Sequence, residues 1–102
     1  DEDPSTRLQR RAAGIPLAVA EASVGVLADA ETASRRGRSG VAADAKTGAY
    51  LADAAIRASL ETVRINAAAL QNQSFAAPLK TRAADIEETA ADARMRLFDG
   101  DR

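Results

Sequence analysis

Alanine occupies 26 of the 102 positions, and that preference decides most of what the chain can become. Alanine is the strongest helix former and lets helices approach closely, yet it removes little apolar surface from water. Leucine, isoleucine, valine and phenylalanine together number only 19, close to the level at which disorder becomes a concern. Disorder of that kind also needs a high net charge, and here the net charge is −1. The expectation is an all-α protein, an antiparallel helical bundle of about four helices. Its cores are thin, so it gains from burying helix faces against a partner, and a homo-oligomer is expected.

The chain has no Cys and no His. That excludes a disulfide framework, a zinc or haem site, a cysteine nucleophile and an imidazole base. No metal and no cofactor are therefore assigned to this chain alone. The near-neutral charge gives no global pull toward nucleic acid or an anionic membrane. Arg35, Arg36 and Arg38 read as a helix end rather than a nucleic-acid patch. The longest apolar stretch, Ile15 to Ala30, is interrupted by Glu21 and Asp29 and is too short to span a bilayer. No charged-then-apolar signal segment follows Asp1, and the expected location is the cytoplasm. The start at Asp1 rather than Met reads as the start of a piece, whether a processed product or part of a longer chain.

Four helical segments are legible. Asp3 and Pro4 form an N-cap and first-position pair opening a helix to about Ala13, which Gly14 interrupts. Pro16 then opens a second helix running to Arg36, closed by Gly37. Leu17, Ala20, Val24, Leu27 and Ala28 form one apolar face of it, and Val19, Ala22, Val26, Ala30 and Ala33 another. After the loop 37–40, a third helix runs from about Val41 to Leu70. Its first face carries Ala45, Ala49, Ala52, Ile56, Leu60, Val63, Ala67 and Leu70. Its second carries Gly48, Leu51, Ala55, Ala58, Ile65 and Ala69. A charged face holds Lys46, Asp53, Arg57, Glu61 and Arg64, with Asp53 and Arg57 an acid-first i,i+4 pair. Residues 71–74 form a polar turn, with Ser74 available as an N-cap. The last helix runs from Phe75 or Ala77 to about Phe98, with a narrow seam of Leu79, Ala83, Ile86, Ala90, Ala93 and Leu97, and Gly100 ends it.

Three positions stand out for chemistry. Asp44, expected in the first turn of the long helix, is either an ordinary first-turn acid or a group that binds a cation or moves a proton. Ser59, Thr62 and Asn66 make a polar strip that either bonds a neighbouring helix and its own carbonyls or lets the Asn66 amide meet a polar ligand. Arg64 belongs to the charged face, where an ion-pair ladder and an anion contact compete.

The central segment carries a resemblance. Asp44-Ala45, Gly48-Ala49, Leu51, Ala54-Ala55, Arg57 and Val63-Arg64-Ile65-Asn66 resemble the C-terminal half of the formiminotransferase-cyclodeaminase family, which typically reads Ser-Asp-Ala-Gly-Val-Ala-Ala and later Asn-Val-Arg-Ile-Asn at the same spacing. Ile15-Pro16-Leu17-Ala18-Val19-Ala20 is similar to the family's Val-Pro-Leu-x-Val-Ala helix start. The resemblance spans about Arg11 to Asn66, with compatible patterning to Leu97.

It implies an all-helical fold, dimeric or larger, acting on a tetrahydrofolate derivative as substrate. Cyclodeaminases convert formimino-tetrahydrofolate to methenyl-tetrahydrofolate with release of ammonia, and close relatives are methenyl-tetrahydrofolate cyclohydrolases. Both reactions need proton transfer and stabilisation of a tetrahedral centre, and neither needs a metal. The resemblance makes Asp44 the ligand-orienting or proton-handling carboxylate, and Asn66 and Arg64 substrate contacts. Departures are Ala43 for the Ser, Lys46-Thr47 for Gly-Val and Thr62 for the first Asn. The family's Pro-Thr-Pro-Gly-Gly-Gly loop is also missing here. A second chain or preceding residues are expected to supply that half. A non-catalytic helical module on the same scaffold is the competing expectation.

Overall fold

The computed structural model describes residues 3–70 and 73–99. Three α-helices and one π-helical turn make up its regular structure: α1 Pro4–Arg36, α2 Ser39–Ala69, α3 Gln73–Arg94 and the turn Met95–Asp99. The all-α expectation holds, but the described residues contain three α-helices rather than four. The break expected at Gly14 does not occur, and α1 runs through both Gly14 and Pro16 for 33 residues. A body of 55 × 20 × 16 Å follows from helices of that length lying side by side.

Local chemistry explains the ends. Asp3 Oδ1 accepts the Ser5 amide at 3.3 Å, with Pro4 in the first position where its missing N–H costs nothing. Gly37 closes α1, donating its N–H to the Ala33 carbonyl at 2.8 Å. Its backbone is extended rather than left-handed, so glycine is required there for space. A Cβ at that position would lie 2.6 Å from the Ala33 oxygen and 2.8 Å from Val41 Cγ1. Only Gly37 and Arg38 separate α1 from α2. α2 opens at Ser39, earlier than the expected Val41, so Gly40 lies inside the helix. Gln73 opens α3, which puts Ser74 inside the helix rather than at its cap. Gln71, Asn72 and Gly100 lie outside the described residues.

Proline 16 cannot donate to the carbonyl one turn earlier, that of Ala12. Asn66 on α2 supplies the missing donor, its Nδ2 lying 2.8 Å from the Ala12 oxygen. That bond keeps α1 whole. Because it joins the far end of α2 to the near end of α1, it also shows the two helices running in opposite directions.

The core is one layer deep. Leu17, Ala20 and Leu27 of α1 meet Ala49, Ile56, Leu60 and Val63 of α2 and Ala83, Ile86, Ala90 and Ala93 of α3. Leu97 joins from the π turn, and Phe98 beside it stacks on Tyr50 with ring centroids 4.2 Å apart. The expected first face of α2 and the expected seam of α3 are the ones buried.

The second faces are largely uncovered. Val19 and Val26 of α1 are exposed, as are Leu51 and Ile65 of α2, the last two at 69 and 61 %, and Ile15 is exposed beside them. On α1 the division between the expected faces is not strict, since Ala30 of the second is buried in the core and Ala28 of the first is exposed. On α2 the exposed positions lie about half a turn from the buried Ala49, Ile56 and Val63. α3 thus covers the core side of α1 and α2, and each of the two helices carries a bare apolar stripe of its own. Among the described residues, no helix is long and apolar enough to cross a membrane.

Candidate functional site along α2

All three candidate residues sit on α2, and the helix separates them. Asp44 and Asn66 are about 33 Å apart at the helical rise per residue, too far for one chain to bring them to one small molecule. Asp44 is exposed in the second turn, not the first as expected, because the helix opens early at Ser39. The dipole benefit that falls off beyond the first turn is correspondingly reduced. Asp44 has no hydrogen-bond or ion-pair partner among the described residues. Its spacing to Gly48, Leu51, Ala55 and Ala58 puts it at the head of the bare stripe.

Asn66 is half-buried, and one N–H of its amide donates to the Ala12 carbonyl. Thr62, in the same strip, donates to the Ala58 carbonyl at 3.1 Å within its own helix. Exposed Arg64 pairs with Glu87 of α3. Around it lies a cleft of about 180 Å³ between α2 and α3, lined by Ile56, Arg57, Leu60, Glu61, Glu87 and Arg94 as well as Arg64.

The strongest charge cluster is one that the helical faces did not reveal. Asp53 belongs by spacing to the charged face, yet it is only 9 % exposed. Arg57 Nε donates to its Oδ2 at 3.1 Å, as the i,i+4 spacing predicts. From α3, Arg94 donates to Oδ1 through Nε at 2.9 Å and Nη2 at 2.6 Å. Burial by itself raises the Asp53 carboxyl, but the hydrogen bonds from Arg94 and then Arg57 outweigh it and hold the group below its ordinary value. Arg94 is raised in return, chiefly by its bond to Asp53. A carboxylate held by two guanidiniums stays ionised, so Asp53 ties α2 to α3 and moves no proton. A signal was present: Asp53 is in phase with Ala49, Ile56 and Leu60, at the spacing of a buried stripe.

The arrangement thus leaves Asp44 as the candidate with an uncommitted side chain, while Asn66 and Arg64 hold helices together. The model of the formiminotransferase-cyclodeaminase family matches residues 4–85. Among curated proteins and solved structures, none matches the chain significantly. The matched region takes in the proline-bearing α1, all of α2 with Asp44, Arg64 and Asn66, and the first half of α3. Over that whole length, the chain belongs to the formiminotransferase-cyclodeaminase family.

Proposed function

We propose that the chain is a cyclodeaminase-like subunit of folate one-carbon metabolism, closing formimino-tetrahydrofolate to methenyl-tetrahydrofolate with loss of ammonia. The reading rests on the family match over residues 4–85. The tetrahydrofolate derivative is the substrate, and the location is the cytoplasm. Ring closure adds a substrate nitrogen to the amidine carbon and expels ammonia, so a proton must be carried to the departing nitrogen. Asp44 is the carboxylate assigned to that transfer or to orienting the amidine cation. Its exposure fits an acid that awaits a covering surface, because a carboxylate in open water gains nothing from its surroundings.

That surface is supplied by a second copy of the chain laid over the bare stripe. Val19 and Val26 of α1 and Leu51 and Ile65 of α2 are large apolar side chains left exposed, material that an interface would bury. Asp44 at the head of the α2 stripe then comes to the edge of the interface.

Ammonia release from formimino-tetrahydrofolate tests the assignment, measured on the chain together with any companion carrying a glycine-rich half. Asp44→Ala lowers the rate about a hundredfold or more if the residue transfers the proton; unchanged turnover removes it from the mechanism. A second reading, a non-catalytic helical module on the same scaffold, draws on one observation. Both Asn66 and Arg64 are engaged within the chain, by Ala12 and Glu87. Absence of ammonia release, and of cyclohydrolase activity on methenyl-tetrahydrofolate, favours that module.

A further inference from the structure

On α1 the side turned away from the core has a spacing of its own. From Leu8 through Ile15, Val19 and Val26 to Ala33, a seam advances in alternating steps of four and three residues. No position along it is buried, and the large side chains Leu8, Ile15, Val19 and Val26 are 66, 65, 47 and 53 % exposed. Alternation of this kind is how one helix lies along another. A face that only meets water has no need of it over about seven turns.

The charges on this face say which way a second helix runs. Asp29 occupies one step of the seam near its end, and Arg11 flanks the seam near its start. Eighteen residues separate the two, about five turns, so both stand on the same edge of α1. Neither has an ion-pair partner among the described residues. A second copy laid parallel sets Asp29 on the partner's Asp29 and Arg11 on the partner's Arg11. Laid antiparallel about a dyad between Ala20 and Glu21, it sets Arg11 beside the partner's Asp29, and the pair occurs twice. Ile15 and Val26 lie evenly to either side of that dyad, as do Val19 and Ala22, so the apolar steps meet in the same register.

The edge that carries the charges is also open to a close neighbour. Gly14 and Gly25 stand on it about three turns apart, and a Cβ at either would meet nothing within 4 Å. Glycine weakens a helix, and no contact within the chain requires it at these two positions. A shallow depression of about 350 Å³ lies there, lined by Arg11, Gly14, Ile15 and Ala18. The antiparallel copy brings the partner's Gly25 alongside Gly14, where two backbones can approach closely.

We infer that α1 pairs with α1 of a second copy as an antiparallel seam, Ile15 against the partner's Val26 and Arg11 beside the partner's Asp29. The inference rests on the second copy proposed above and adds its helix, direction and register. Charge complementarity selects that occupant, because a seam whose acid and base exchange places under a half-turn fits its own copy.

Cross-linking tests the seam cleanly, since the chain has no cysteine of its own. Ile15→Cys and Val26→Cys are refolded singly and as a mixture, then oxidised. The mixture gives a disulfide between positions 15 and 26 of different chains, identified by peptide mass. Either variant alone gives none, because the two thiols then sit about 16 Å apart along the seam. Arg11→Asp and Asp29→Arg, both at exposed positions, each raise the dimer dissociation constant at least about tenfold in sedimentation. The chain carrying both exchanges associates as the parent does. The seam is refuted if the mixture forms no such bridge, if either variant bridges alone as a parallel pair would, or if the double exchange fails to restore association. Association without the bridge removes this seam and leaves the second copy standing. A bridge formed by a chain that releases no ammonia upholds the seam and counts against the folate reading.

Discussion

Asn66 donates its side-chain amide at 2.8 Å to the carbonyl of Ala12, the acceptor that Pro16 leaves without its intrahelical donor. Two residues fifty positions apart thus share one hydrogen-bonding vacancy. Proline inside a helix ordinarily kinks or ends it. Here the neighbouring helix replaces the lost donor, and α1 continues to Arg36. The Ile15-Pro16-Leu17 start and the closing Asn66 of Val63-Arg64-Ile65-Asn66 are therefore parts of one structural device.

That coupling is measurable by a double-mutant cycle. Asn66→Ala costs about 1 kcal/mol in urea unfolding, the net worth of one such bond. In a Pro16→Ala background the backbone N–H at position 16 can reach Ala12 itself, so removing Asn66 costs markedly less. Equal costs in the two backgrounds refute the device.

The Asp53 cluster makes a graded prediction. Arg94→Ala leaves a nearly buried carboxylate with one partner and destabilises by about 2–3 kcal/mol. Arg57, with its side chain 62 % exposed, contributes as a surface pair does. Its replacement by alanine costs less than about 1 kcal/mol. Urea midpoints of the two variants, compared at constant slope, decide between this ranking and its reverse.

Acid should weaken the fold through the same groups. Asp53 and Glu31 both have carboxyls held below their ordinary values in the folded chain, Asp53 by Arg94 and Arg57 against the cost of burial, Glu31 chiefly by its bond to Arg96. A depressed folded pKa contributes stability that is fully present above the unfolded value, about pH 4, and is lost as the pH falls through the folded one. The urea midpoint stays level from about pH 7 to 5 with respect to these groups and then drops below about pH 4. In Asp53→Asn the acid limb is shallower, because one of the two linked protons is gone. An identical acid limb in that variant contradicts the assignment.

The bare stripe predicts self-association at micromolar concentration, visible by sedimentation. Leu51→Lys and Ile65→Lys replace side chains that are 69 and 61 % exposed. Each shifts the sample toward monomer while its helical circular dichroism is retained, since surface changes of this kind cost little folding energy. A parent chain that sediments as a monomer overturns the proposed second copy, and an association that only a chain with a glycine-rich half can produce names a different occupant.

Much of this fold was legible in periodicity. The 3,4 spacing of Ala49, Ile56, Leu60 and Val63 marks a buried face, and the seam from Leu79 to Leu97 marks its counterpart. Alanine content and the Asp3-Pro4 start gave the helical class and the first boundary. Asp44 could be singled out by resemblance, although not its exposure. Spacing says which residues share a face of a helix, because the helical repeat is local. Which face is covered depends on where another helix lies. Hence the second faces of α1 and α2 look as apolar as the first, and only the position of α3 leaves Val19, Val26, Leu51 and Ile65 bare. The burial of Asp53 by Arg94, 41 residues downstream, has the same origin. So does the continuity of α1: alone, Gly14 and Pro16 argue for a break, and the donor that prevents it comes from Asn66. Alanine richness determined that the chain is helical and thinly cored; the packing of three long helices decided which carboxylate is locked, which is free and which apolar face still lacks a cover.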